Sequence, residues 1–290
     1  MPRFMNAKID LHVHSNASDG KYSPAQLVQL AARNGLTLLA ITDHDTVGAV
    51  AAAQAEAQGF CALKVIPGVE ISSHAPGNEV HILGYFVDTS NADFLQQLAA
   101  QSESRMDRAC AIVEKLHTLG LKISLERVKQ LAGDGSIGRP HIAQALMEKG
   151  YVSSFQEVFE RYLGQGCPAY VERIKITPEE AVMLILRSGG LPVLAHPTTI
   201  SNAEELIAHL CTIGLVGMEC YYKDYSNRQR CEMADLARYY GLIATGGSDF
   251  HGIDEATEVM LGEAKVPAEC GENLIRIARE RGIKLPDYLS

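Results

Sequence analysis

The sequence predicts an α/β fold whose mostly parallel sheet is either open or closed into a barrel. Short apolar runs alternate with amphipathic segments, the mark of strand–helix–strand units. Several of the helical segments open on clear start signals. Nearly every apolar run ends in a His, Asp or Glu, the distribution expected of an active site on the carboxyl face of a (β/α) barrel.

In chain order, strands are expected at 8–13, 36–42, 62–66, 81–87, 191–195, 216–220 and 242–245. Ser23-Pro24 opens one helix and Thr177-Pro178-Glu179-Glu180 another, while Asn202 is expected to cap a third. Between about 95 and 168 the alternation stops and only helices are expected, at 95–120, 125–132, 139–149 and 155–163. This predicts a helical subdomain, residues 98–165, inserted in a barrel built from 1–97 and 166–290. The chain re-enters the barrel near Pro168-Ala169-Tyr170-Val171.

Composition sets the outer bounds. A chain of 290 residues with 47% hydrophobic content can bury a substantial core and is not disordered. Its 26 Lys and Arg against 35 Asp and Glu exclude a broad basic surface for long duplexes. Only 6% aromatics and no Trp argue against an extended stacking platform for single strands. The seven Cys are odd in number and never spaced CxxC, which suits reduced thiols in a cytoplasmic protein. No apolar stretch approaches the roughly 20 residues of a membrane span, so a soluble protein is expected.

The ionisable residues sit at the strand ends: His12 and His14, then Asp43, His44 and Asp45, then Glu70, His196, Glu219, Asp249 and His251. His81 is the exception, at the start of its run. A lone His at a strand end is usually a hydrogen-bonded core residue. Recurrence at one end of successive strands is different, because gathering so many buried polar groups is costly without a cation. His12 and His14 are two apart on a strand, so both imidazoles reach one face. Asp249 and His251 share that spacing after a Gly-Gly turn, which lets two ions share them. Imidazole and carboxylate without thiolate suit Mn²⁺, Zn²⁺ or Fe²⁺ and disfavour a purely structural zinc.

His12-x-His14, Thr42-Asp43-His44-Asp45, Gly68-Val69-Glu70, Ala195-His196-Pro197 and Gly247-Ser248-Asp249-x-His251 together resemble the PHP (polymerase and histidinol phosphatase) superfamily. The resemblance implies a distorted (β/α)₇ barrel with a di- or trinuclear centre, most simply of Mn²⁺, that hydrolyses phosphate esters. It assigns His12, His14, Glu70 and Asp249 to one ion. A second would share Glu70 and take His81 and His196. A third would take His44, His251 and Asp19, a position where some members carry His. Asp19, His44, His196 and His251 are the implied catalytic residues. Three divalent ions would be balanced by Asp19, Glu70, Asp249, a hydroxide and a phosphate monoester dianion, which fits in-line attack by metal-bound hydroxide.

The expected insertion contains a decoy. Residues 133–138 match GxGxxG, but a helical segment precedes them, so the strand that a dinucleotide fingerprint needs is missing. The same loop leads into Arg139-Pro140-His141 at a helix start, which offers an anion site or a merely solvated terminus. Arg105-x-x-Arg108 on one helix face and Arg173-x-Lys175 at the return favour the anion site. Together with Gly138-Arg139-Pro140-His141, Thr42–Thr46, Gly68–Ser72 and Gly247–Gly252, the insertion resembles the 3′,5′-nucleoside bisphosphate phosphatases of the superfamily. The resemblance implies removal of the 3′-phosphate from compounds such as adenosine 3′,5′-bisphosphate. The expected substrate contacts are Asp19, His44, Arg105, Arg139, His141, Lys175 and His251. The rival readings are a 5′–3′ exoribonuclease on short RNA, a histidinol-phosphate phosphatase and a non-catalytic metal-binding barrel.

Neighbouring residues receive supporting roles. Asp43 is expected to orient His44, Asp45 to cap the next helix, and Glu219 to sit behind the ligands. Ser15 suits a phosphate contact or a turn, and Tyr221-Tyr222 a nucleoside wall or simple packing. His74, His117 and His209 are expected to be surface or locally bonded.

Overall fold

The computed structural model describes residues 7–133, 135–172, 176–253 and 258–289. Arg173 and Lys175 therefore lie outside the described residues. Strands β1 (Lys8–Asp10), β2 (Leu36–Ile41), β3 (Lys64–Ala75), β4 (Asn78–Tyr85), β5 (Leu191–Leu194), β6 (Gly217–Tyr222) and β7 (Ile243–Gly247) form one sheet in that spatial order. The sheet nearly closes on itself. The Leu11 amide donates to the Gly246 carbonyl at 3.3 Å, and Val13 pairs in parallel with Phe250. Gly247 makes that seam possible, since a Cβ there would lie 2.4 Å from the His12 Cβ.

Helices α1 (Pro24–Arg33), α2 (Val50–Ala57), α7 (Pro178–Arg187), α8 (Ala203–Ile213), α9 (Asn227–Tyr239) and α10 (Ala268–Glu280) surround the barrel. The start signals at α1 and α7 form full capping boxes, with Ser23 accepting from the Gln26 amide and Thr177 from the Glu180 amide. Asn202 precedes α8 but makes no side-chain cap bond; its backbone is left-handed, at φ 59°, which turns the side chain away from the helix amides. The barrel's interior buries Leu11, Leu38, Leu83, Val193 and Ile243 with Leu274 of α10. Across it the Tyr85 hydroxyl donates to the Leu11 carbonyl at 2.9 Å.

The sheet is mostly parallel, as expected, with one strand reversed. Four strand pairs are parallel, but β4 runs antiparallel to both β3 and β5. The cause is the two-residue connection Pro76-Gly77, far too short for a parallel crossover, with Gly77 at φ 76°. Reversal brings the first half of β4, and His81 with it, to the carboxyl end of its neighbours.

Helices α3 (Ala92–Thr118), α4 (Leu125–Ala132), α5 (Arg139–Glu148) and α6 (Phe155–Val158), followed by a π-helical turn (Phe159–Leu163), fill the stretch between β4 and α7. Phe94 and Leu98 of α3 pack with the barrel. Further along the same helix, Ile112 and Leu116 join a separate apolar cluster with Val128, Leu146 and Leu163.

Candidate metal centre

β1 stops at Asp10, and the chain runs on extended through His14 between the ends of β2 and β7. The Val13 amide donates to the Thr42 hydroxyl and the His14 amide to the Phe250 carbonyl, each at 3.0 Å. That clamp puts both imidazoles on one side, their centroids 5.2 Å apart. One ring nitrogen each of His12 and His14, a Glu70 oxygen and an Asp249 oxygen all fall within 4.8 Å of one another. His14, Asp19, His44 and His251 form a second such group, and His44, Glu70 and His81 a third. His196 lies beside the third, with Nε2 3.3 Å from Glu70 Oε1. All nine predicted ligands thus form one connected row. Compared with the expected groupings, His14 also faces the Asp19 group and His44 also faces the His81 group.

The row is held from behind. Glu219, fully buried, lies 3.1 Å from His12 Nδ1 through Oε1 and accepts the His196 amide through Oε2 at 2.9 Å. It therefore fixes the tautomer that presents His12 Nε2 to the row. Asp249 and His196 have positive φ, at 48° and 28°, a strained conformation for side chains other than glycine.

Two supporting assignments are corrected. Asp43 does not engage His44; it accepts from the Ser15 amide and hydroxyl and the Ser18 hydroxyl, tying down the loop that carries Asp19. This spends Ser15 on the turn. Asp45 caps no helix, because its left-handed backbone turns it to accept from the Ser72 amide at 2.9 Å and Arg105 Nε at 2.7 Å.

Burial pushes the Asp19, Glu70 and Asp249 carboxyls up, but neighbouring charge outweighs it and holds all three well below the usual carboxylate range. The counter-charges are His44 and His251 at Asp19, His44 and His12 at Glu70, and Lys223 and His12 at Asp249. Burial likewise pushes His14 down, yet the nearby Asp249 and Glu70 carboxylates carry it up to about 10. At His44 burial prevails over Glu70 and Asp19 and takes it down to about 4. Among the described residues, His12 Nε2, both ring nitrogens of His14, Asp19 Oδ1, His44 Nδ1 and Glu70 Oε2 are buried without a well-formed hydrogen bond. Each such atom costs about 1–3 kcal/mol. Orphaned imidazole and carboxylate atoms converging from several strands fit divalent cations, which would satisfy them together.

Beside the row lies a cavity of about 320 Å³ whose lining brings Asp19, His44, His81, Asp249 and His251 together with Glu79, Arg105, Arg108 and Arg139. Arg105 Nη2 also donates to the Ser72 hydroxyl at 2.7 Å, while Arg139 donates to Glu79 at 2.9 Å. Gly138 belongs to the tight junction here, since a Cβ on it would lie 2.8 Å from Asp19 Oδ2. His141 does not reach this cavity; its Nδ1 accepts the Gly138 amide at 3.0 Å and closes the first turn of α5. His74 pairs with Glu172, His209 with Glu179, and His117 with the Ile123 carbonyl, all away from the row.

Tyr222 and Lys223 escaped the sequence reading as partners of a ligand. Both donate to Asp249 Oδ2, at 2.7 and 3.2 Å. A bulge in β6 between Glu219 and Tyr221 shifts the register there, a device that re-aims side chains and leaves no trace in a hydrophobic pattern.

The fold and this row define a barrel protein whose clustered imidazoles and carboxylates suit divalent metal. Residues 10–166 match the family model of the PHP domain, and the chain belongs to that family. It is 40% identical over 247 residues to the 5′-3′ exoribonuclease Rnm of Escherichia coli, covering 83% of this chain and 84% of that one. It is 34% identical over 253 residues to the 3′,5′-nucleoside bisphosphate phosphatase of Chromobacterium violaceum, covering 84% and 87%. Among solved structures, a chain from Bifidobacterium adolescentis superposes with a TM-score of 0.86 at 27% identity, covering 96% and 98%.

Proposed function

We propose that the protein is a divalent-metal-dependent phosphoesterase that cuts on the 3′ side of a 5′-phosphorylated nucleotide and releases the nucleoside 5′-monophosphate. Its smallest substrates are nucleoside 3′,5′-bisphosphates such as adenosine 3′,5′-bisphosphate. The same cut at the 5′ end of a short RNA removes one nucleotide. The likeness to both an exoribonuclease and a bisphosphate phosphatase supports this shared chemistry. The observation that carries it is that three arginines line the same cavity as Asp19, His44, His81, Asp249 and His251. One phosphate of the substrate belongs to the metal-ligating group and the other to the arginines.

His12, His14, Asp19, His44, Glu70, His81, His196, Asp249 and His251 would hold two or three divalent ions, with Mn²⁺ the first candidate. Bound there, the ions supply an activated water and positive charge for the phosphoryl oxygens. Arg139 and Arg108 bind the 5′-phosphate and set the distance from it to the scissile ester. Asp19, His44 and His251 line the cavity and touch the reacting phosphoryl group; His196, outside the lining, serves as a ligand. The water oxygen bonds to phosphorus, the bond to the 3′ oxygen breaks, and that oxygen leaves with a proton.

Arg139→Ala tests the two-phosphate reading. With Mn²⁺-loaded protein, kcat/KM on 5′-phosphorylated substrates should fall by at least tenfold, and on their 5′-hydroxyl counterparts hardly at all. Equal losses on both would mean that Arg139 reads no second phosphate.

A further inference from the structure

We propose that a second cavity, which shares Asp19 with the first, takes the RNA strand that follows the cut. The inference rests on the phosphoesterase reading above and deepens it. A bisphosphate ends at the scissile phosphate, whereas an RNA continues beyond it and needs a place to lie.

The second cavity holds about 1020 Å³ against about 320 Å³ in the first, and Asp19 is the residue that lines both. The linings part where the loop before α5 rests on the loop that carries Asp19. There the Ser136 amide donates to the Ala17 carbonyl at 2.9 Å, and a Cβ on Gly135 would lie 2.4 Å from the Asn16 carbonyl oxygen. Two glycines of the GxGxxG match, Gly135 and Gly138, thus serve close packing against that loop. Residues 137–140 line the first cavity, while Gly133, Gly135 and His141 line the second.

His141 carries the argument. It is only 5% exposed, and its Nδ1 accepts the Gly138 amide at 3.0 Å, so Nε2 bears the proton. Among the described residues nothing accepts from that N–H, and the ring belongs to the lining of the second cavity. A buried donor without a partner is costly, and a ligand oxygen would satisfy it. Gln144 follows three residues on along the same helix face, and Gln130 of α4 and Asn16 bring further amides. Glu148 is held by Arg127 through two bonds, at 2.7 and 2.8 Å, while Lys21 adds positive charge. Leu131, Met147 and Phe155 supply half-buried apolar faces. Donors for phosphate and sugar oxygens beside apolar surface for bases are what a single strand requires. The scissile ester lies at the row that includes Asp19, so the nucleotide after it enters the second cavity past that side chain.

The test compares Mn²⁺-loaded wild type, Gln144→Trp and Gln144→Glu on a 5′-phosphorylated RNA trinucleotide and on adenosine 3′,5′-bisphosphate. Tryptophan at 144 should fill the cavity, and glutamate should set a charge against the phosphates of the strand. In Gln144→Trp the kcat/KM ratio of trinucleotide to bisphosphate should fall about tenfold, through KM, with the bisphosphate within about twofold of wild type. In Gln144→Glu the ratio should also fall, and added salt should restore part of it relative to wild type. A ratio unchanged in both variants, equal losses on both substrates, or a wild type that cleaves the bisphosphate alone overturns the strand site and leaves the phosphoesterase reading standing. Hydrolysis of neither substrate by wild type overturns that reading, and the strand site with it.

Discussion

Asp249 divides its carboxylate between two tasks. Oδ1 faces His14 Nε2 at 3.0 Å and His12 Nε2 at 3.4 Å, while Oδ2 is taken by Tyr222 and Lys223. Such outer contacts typically govern metal affinity by 10–100-fold. Tyr222→Phe should therefore weaken Mn²⁺ binding by about tenfold in isothermal titration calorimetry; an unchanged affinity would show that the hydroxyl does not position Asp249. Gly138→Ala should act from the other side, by driving Asp19 out of the row through the 2.8 Å approach to Oδ2. Its expected outcome is loss of one bound Mn²⁺ per chain by elemental analysis, and full stoichiometry would contradict it. At this scale seven of the nine candidate ligands were legible as ionisable residues at strand ends, while Asp19 and His81 were assigned only through the family resemblance. Tyr222 and Lys223 were not legible, since a tyrosine after a strand reads as packing and the bulge that turns it is invisible in sequence.

The elements show where local signals prevail and where connections override them. Helix starts at Ser23 and Thr177 were legible because capping is local chemistry. The direction of β4 was missed although Pro76-Gly77-Asn78 is a turn signal, because the run before it was read as ending at Ile66 rather than continuing to Ala75. The expected boundary between 97 and 98 falls inside α3, a single helix whose two halves pack in different clusters. Leu146 sits fully buried in the cluster of the expected insertion. Leu146→Ala should cost about 2–5 kcal/mol there. Hydrogen exchange should show that loss first in residues 109–169, with β5–β7 still protected. A uniform loss of protection would mean that the helical stretch and the barrel open as one unit.

At the scale of the whole molecule, the barrel is a frame that forces buried polar atoms together at one end. Metal binding should therefore stabilise the folded chain by mass action, by about 2.7 kcal/mol when free Mn²⁺ is 100 times its dissociation constant. Differential scanning fluorimetry should show Tm rising with Mn²⁺ and falling on chelation, and a Tm indifferent to both would deny that the row is a metal site. The acidic balance and the α/β class were legible in composition and periodicity. Among the described residues no helix is long and apolar enough to cross a membrane. Closure of the sheet was legible only through the family resemblance, because it depends on the approach of Gly246 and Gly247 to a segment more than 230 residues away in the chain. The chemistry itself is tested most directly by hydrolysis of a 5′-phosphorylated RNA trinucleotide in ¹⁸O-water, with products read by mass spectrometry. Attack on the 3′-side phosphorus predicts an unlabelled nucleoside 5′-monophosphate and a shortened RNA carrying ¹⁸O in its new 5′-phosphate. A labelled inorganic phosphate beside 5′-hydroxyl RNA, or a nucleoside 3′-phosphate, would contradict it.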